Sequence, residues 1–242
     1  MERFHLSVSA AISQGWAVAK KHLMSLAGIV LVIYLVSYLF SFFSGPSLEF
    51  WQKYTQAIMN NDIRTIERMA QTIERTPTDY ILEVVSAVVT MILMAGFYSV
   101  VMRLVRGTLH KTSLSAYKMP VGVYAKYVAV SVLCAVATLL AGMLCLLPGI
   151  YLNARLSMAP FYVIDNHDSG IFEAIKASWQ MTKGNFWSVL ALQVSNFFIM
   201  LLGTCCCCVG FFLAFPIINA NMAVAFYQLL PNYIPDAEYE TL

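Results

Sequence analysis

The sequence predicts an all-α fold: a polytopic membrane protein of six transmembrane helices, arranged as three hairpins, with amphipathic helices in the membrane interface. Three observations predict it. The chain of 242 residues is 60% hydrophobic and only 12% charged, about half the charge of a soluble domain. Its mean hydropathy is +0.70, more apolar surface than a chain of 27.0 kDa can hide inside a globule. The apolar residues also come in runs long enough to cross a bilayer, the longest (186–230) without one charged side chain. The net charge of +2 argues against nucleic acid as a partner, because a duplex binder concentrates a basic face.

A helix crossing the hydrocarbon core needs about 20 apolar residues. Residues 23–43 qualify without a charge, and 80–102 qualify with Glu83 one turn inside their start. Residues 127–147 make a third span. The long charge-free run supplies two more, 186–206 and 209–230, turning between Gly203 and Gly210 around Cys205, Cys206, Cys207 and Cys208. The fourth span, 149–164, is irregular. It follows Pro148-Gly149, a turn dipeptide expected to end the third helix. It contains Asn153, Arg155 and Pro160, and its roughly 24 Å falls short of a core of about 30 Å. It reads as a short full crossing in preference to a re-entrant segment.

Basic residues set the expected orientation. Arg103, Arg106, Lys111, Lys118 and Lys126 lie between spans two and three with no acid among them. Arg3, Lys20 and Lys21 precede span one, and Lys176 and Lys183 precede span five. Lys and Arg are retained on the cytoplasmic side, so both termini and the basic loop are expected inside. The loop would then meet anionic headgroups, at about 1 kcal/mol per charge near the surface. Positive-inside topology alone would also explain its charge. Residues 44–79, which mix Lys53, Arg64, Arg68 and Arg75 with five acids, are expected outside as a cap of two amphipathic helices. Pro46 would open the first, Asn61 or Asp62 would cap the second, and Thr76-Pro77-Thr78 would end it. The first span is too long for a signal-peptide core and reads as retained.

A weak internal repeat links the two ends of the chain. Ala11-Ile12, Trp16, Lys20 and Ser25 align with Ala174-Ile175, Trp179, Lys183 and Ser188 at a constant offset of 163 residues. Each copy is an amphipathic helix feeding a span, with Val8, Ala11, Ile12, Trp16 and Ala19 on one face of the first. Trp16, Lys20, Trp179 and Lys183 are the expected interfacial anchors. A middle feeder around 115–126 is interrupted by Pro120 and Gly122.

The stretch 147–186 carries a resemblance. Pro148-Gly149, Asp165, Ala174, Ser178 and Lys183-Gly184-Asn185, with Arg106-Gly107 further upstream, resemble a family of bacterial six-span proteins. That family is related to the membrane domain attached to some glycerophosphoryl diester phosphodiesterases. The resemblance implies the topology of the whole chain. It does not bring the phosphodiesterase, whose catalytic barrel would need about 250 further soluble residues.

Candidate chemistry is sparse. There is no HExxH, GxSxG or Walker sequence and no pair of intramembrane aspartates. His5, His22, His110 and His167 fall in expected loops or interfaces. No enzyme, cofactor or metal is therefore expected. Arg155 is the strongest single residue, since an arginine in mid-span costs at least ~2.5–3.5 kcal/mol and needs a partner or water. It could pair with Glu83, both being placed towards the outer half, hold a lipid phosphate or another anion, or snorkel to the interface. Neighbouring cysteines on a helix point about 100° apart, so the run of four reads as small packing residues, although Cys145 could pair with one of them where conditions are oxidising. Gln193, Asn196, Asn219, Asn221 and Gln228 would hydrogen-bond between helices or line a transport path. The expected function is a non-enzymatic membrane protein that binds or organises lipid, or an accessory subunit with a membrane-protein partner or a second copy of itself. A small transporter or channel is the first alternative, and a membrane enzyme acting on lipid the second.

Overall fold

The computed structural model of the chain describes residues 5–44, 48–71, 77–109, 117–205 and 208–232. Among them the regular elements are all helices: α1 (Val8–Ser44), α2 (Leu48–Met59), α3 (Ile63–Gln71), α4 (Pro77–Val105), α5 (Val121–Leu144), α6 (Leu146–Leu156), α7 (Ala159–Asp165), α8 (Ile171–Met181), α9 (Phe186–Cys205) and α10 (Cys208–Leu229), with a 3-10 turn over Leu230–Asn232. Five of them, α1, α4, α5, α9 and α10, are long and apolar enough to cross a membrane. The chain forms two compact units, Met1–Val32 with Ile92–Leu242, and Ile33–Met91.

In the larger unit, the expected amphipathic helix and the start of the first span form one helix kinked at His22 (φ −121°, ψ 15°), one residue before the span was expected to begin. The buried positions on its N-terminal part are Ala11, Gly15 and Ala19, every fourth residue and therefore one stripe. At Gly15 the close neighbour is α10, since a Cβ added there would stand 2.7 Å from the Asn221 backbone nitrogen. Trp16 lies off this stripe and stays 46% exposed. Helix α4 ends in a Schellman turn, where Gly107 takes φ +76°. Its N–H donates to the Leu104 carbonyl at 3.2 Å, and the Thr108 N–H donates to that of Arg103 at 3.1 Å.

The boundary between the third and fourth segments falls at Cys145, not at Pro148-Gly149. Cys145 is extended (φ −167°, ψ 146°), and α6 begins at the next residue. Pro148 sits in the first turn of α6, where a missing N–H forfeits no intrahelical bond. Gly149 then lets α6 cross close over α5, since a Cβ there would stand 2.8 Å from the Gly142 Cα. Helices α6 and α7 both pack along α5, and Lys126 Nζ, near the start of α5, donates to the His167 carbonyl at 2.9 Å. The fourth segment is thus longer than expected, about 28 Å of helix from Leu146 to Ile164, but interrupted at Ser157–Met158. Of the middle feeder, 115 and 116 lie outside the described residues; Pro120 precedes α5, and Gly122 lies in its first turn. Tyr117 packs over Gly96, where a Cβ would collide with its ring. Burial, with Tyr124 adding to it, pushes the Tyr117 hydroxyl up to about 12.

Helix α8 folds back beside α7, and Gly184 (φ +89°) turns the chain from it into α9. Helices α9 and α10 form a hairpin whose tip is closed by small residues. A Cβ at Gly203 would stand 2.7 Å from both the Gly210 carbonyl oxygen and the Ala214 Cβ. Within it, buried Asn221 donates to Asn196 at 2.9 Å, while Asn219 donates to the Phe215 carbonyl of its own helix at 2.7 Å. Cys134, Cys145 and Cys205 are free thiols; Cys206 and Cys207 lie outside the described residues, as do Arg3, His110 and Lys111.

In the smaller unit, α2 packs on α3 through a turn in which Asn61 takes φ +53°. Of the two expected caps Asp62 serves: its carboxylate accepts the Thr65 N–H at 3.2 Å and the Thr65 hydroxyl at 2.6 Å. Those bonds hold its carboxyl below the usual range. Pro77, expected to close the second cap helix, instead opens α4, a position that suits its fixed φ and missing N–H.

Candidate functional site

The break between α6 and α7 organises the first polar centre. Ser178, fully buried on α8, donates its hydroxyl to the Arg155 carbonyl at 2.7 Å and accepts the Met158 N–H at 3.2 Å. One small hydroxyl therefore serves a carbonyl and an amide on either side of the interruption, which apolar surroundings would otherwise make costly. Ala174 and Thr182 share the buried face with it, spaced by four residues so that they form one ridge.

Arg155 is held at this point. Its guanidinium lies 5.2 Å from the ring centres of both Tyr151 and Trp179. Its Nε donates to the Tyr151 hydroxyl at 3.1 Å and one terminal nitrogen donates to the Thr182 hydroxyl at 3.4 Å. Tyr151 sits one helical turn before Arg155, the spacing that lets the two side chains meet. The group is half-buried and, among the described residues of its own unit, no carboxylate stands within ion-pair distance of it. Glu83 belongs to the other unit, and the contacts that place Arg155 are aromatic and hydroxyl. Of the other anchor residues, Trp179 joins this box, while Lys20 and Lys183 are exposed.

A second polar centre forms where α4, α7 and α10 end. Arg106 and Asp165 form an ion pair at 3.4 Å. The Tyr227 hydroxyl donates to the same Asp165 oxygen at 3.0 Å, and the Arg106 guanidinium lies 5.3 Å from the Tyr227 ring centre. Burial pushes the Asp165 carboxyl up, against the pull of Arg106, the Tyr227 hydroxyl and His167. Arg106 is the one member of the basic loop in an ion pair among the described residues. Arg103 lies in the last turn of α4, Lys118 is exposed, and Lys126 serves the His167 carbonyl.

The residues of the resemblance acquire physical tasks from this geometry. Gly107 and Gly184 occupy left-handed turns, Gly149 permits the α5–α6 crossing, and Asp165 meets Arg106. Asn185, buried, accepts the Leu6 N–H at 3.0 Å and so ties the N-terminal segment to the start of α9. Sequence reasoning missed Thr182 and Tyr227. Tyr151 was within reach of it, through its spacing from Arg155.

No curated protein and no solved structure matches the chain. The model of one protein family does, that of the membrane domain of glycerophosphoryl diester phosphodiesterase, over residues 82–230. The match takes in α5 to α10, both polar centres and every position of the resemblance, and the chain belongs to that family.

Proposed function

We propose that this integral membrane protein is non-enzymatic and binds or organises lipid, with Arg155 holding the phosphate of a lipid headgroup. The observation that carries the reading is the Arg155 box. A guanidinium costs several kcal/mol in an apolar segment, and the described residues of its own unit give it two rings and two hydroxyls but no anion. A phosphate oxygen supplies the missing charge and accepts the remaining N–H groups. The absence of catalytic sequence patterns supports a binding role over chemistry. Six crossings, cytoplasmic termini and a bacterial inner membrane belong to the same reading. They are supported by the length of the Leu146–Ile164 segment, its course along α5 and the distribution of Lys and Arg.

Native mass spectrometry of the full chain from mild detergent tests this, comparing wild type, Arg155→Ala and Arg155→Lys. The expected result is phospholipid retained by the wild type, lost from folded Arg155→Ala, and weakened in Arg155→Lys, which keeps the charge but not the planar fork. Equal lipid retention by wild type and Arg155→Ala overturns it.

A further inference from the structure

The ends of α4 and α10 and the N-terminal part of α1 border an open cavity of about 290 Å³ lined by Gln14, Val105, Arg106, Val224, Tyr227 and Gln228. It is separate from the Arg155 box and shares no residue with it. Its size is at the lower end of ligand sites, enough for a phosphate-sized headgroup and too small for a bulky cofactor. What sets the ligand class is the hydrogen-bonding capacity its walls leave unused.

The polar groups around it are unequal in this respect. Gln228 uses its side-chain oxygen to accept the Ser7 N–H at 3.2 Å, so its amide N–H groups are what it has left to offer. Arg106 commits one terminal nitrogen to Asp165, at a long 3.4 Å, and is one-third exposed; its remaining N–H groups have no acceptor among the described residues. Gln14 makes no hydrogen bond to a described residue and brings a further amide. Tyr227 gives its hydroxyl proton to Asp165 at 3.0 Å. The unspent capacity is mainly donor, around one guanidinium, with an apolar floor of Val105 and Val224.

We infer that this cavity is a second binding site, for a phosphate-bearing anion gripped by Arg106 and the Gln14 and Gln228 amides. Asp165 is the internal competitor that holds Arg106 in place while the site is empty. The phosphate can come from a lipid headgroup entering between helix ends or from a soluble phosphate.

Thermal unfolding of the full chain in detergent tests the inference, with inorganic phosphate and short-chain dihexanoylphosphatidic acid as separate probes and dihexanoylglycerol as the uncharged control. All variants are made in the Arg155→Ala background, which removes the other phosphate site, and Arg155→Ala itself is expected to keep a saturable rise in Tm, which separates this site from the Arg155 box. Gln228→Leu, which leaves the Arg106–Asp165 pair intact, weakens binding about tenfold, the worth of a hydrogen bond to a charged group. Arg106→Gln abolishes it. Asp165→Asn tightens it by removing the competing charge, which a purely structural Arg106 would not produce. Saturation by inorganic phosphate as tight as by the lipid assigns a soluble source; saturation by the lipid alone assigns a headgroup. No saturable shift with either probe, or an affinity unchanged in both Gln228→Leu and Arg106→Gln, overturns the site.

Discussion

Ser178 shows how much one side chain settles in this fold. Its hydroxyl spans the interruption between α6 and α7 from the facing helix, at a position with no solvent access. Removing it strands an amide and a carbonyl where neither finds water, at a cost of about 1–3 kcal/mol. Ser178→Ala is therefore expected to lower stability by that amount in detergent unfolding measurements. Ser157→Ala, which loses only a half-buried bond to the Ala154 carbonyl three residues earlier, should stay within about 0.5 kcal/mol of wild type. Equal losses in the two variants would refute the bridging role. The same scale explains why Arg155 was easy to single out from sequence and its surroundings were not. A lone arginine in an apolar run is conspicuous by charge, whereas Thr182 reaches it through a tertiary contact across 27 residues.

Between helices, the recurring device is a glycine where two backbones approach. Gly149 faces Gly142 across the α5–α6 crossing, Gly203 faces Gly210 near the tip of α9 and α10, and Gly15 lies under Asn221. In lipid such contacts stand in for hydrophobic burial, because acyl chains solvate apolar side chains as well as a neighbouring helix does. Gly149→Val should therefore destabilise by about 1–3 kcal/mol through overpacking, read as a lower unfolding midpoint. Gly28→Ala should be neutral or slightly stabilising, since a Cβ there meets nothing within 4 Å and alanine favours helix. At this scale the sequence disclosed which segments are helical and where α9 turns into α10, because length and hydropathy govern both. It misplaced the α5–α6 boundary because Pro-Gly has two uses. The pair can make a turn, or, as here, proline can occupy the first turn of a helix while glycine makes a close crossing. Hydropathy cannot distinguish those uses; the partner backbone at Gly142 does.

For the whole molecule, the path of the chain through the bilayer turns on the fourth segment. If α6 and α7 cross together, the α5–α6 tip and the α9–α10 tip lie on one side of the membrane, with the α4–α5 and α7–α8 connections on the other. Native cysteines mark the two tips, since Cys145 and Cys205 are both exposed. Lys118 and Asp168, both exposed, mark the connections. Single-cysteine chains carrying Cys145 alone, Cys205 alone, Lys118→Cys or Asp168→Cys can be treated with a membrane-impermeant maleimide in right-side-out vesicles. The six-span reading expects labelling at Cys145 and Cys205 before lysis, and at the Lys118→Cys and Asp168→Cys positions only after it. A re-entrant fourth segment would instead return the chain to the side it entered from. Asp168→Cys would then label on the opposite side from Lys118→Cys or Cys145 would be shielded from both, and the paired-hairpin architecture would be lost. The apolar residues around Cys145 make this a demanding test. Met143, Leu144, Leu146 and Leu147 are each more than 70% exposed, so the tip is expected to press into the headgroup region, and its labelling to be slower than that of Cys205 but on the same side.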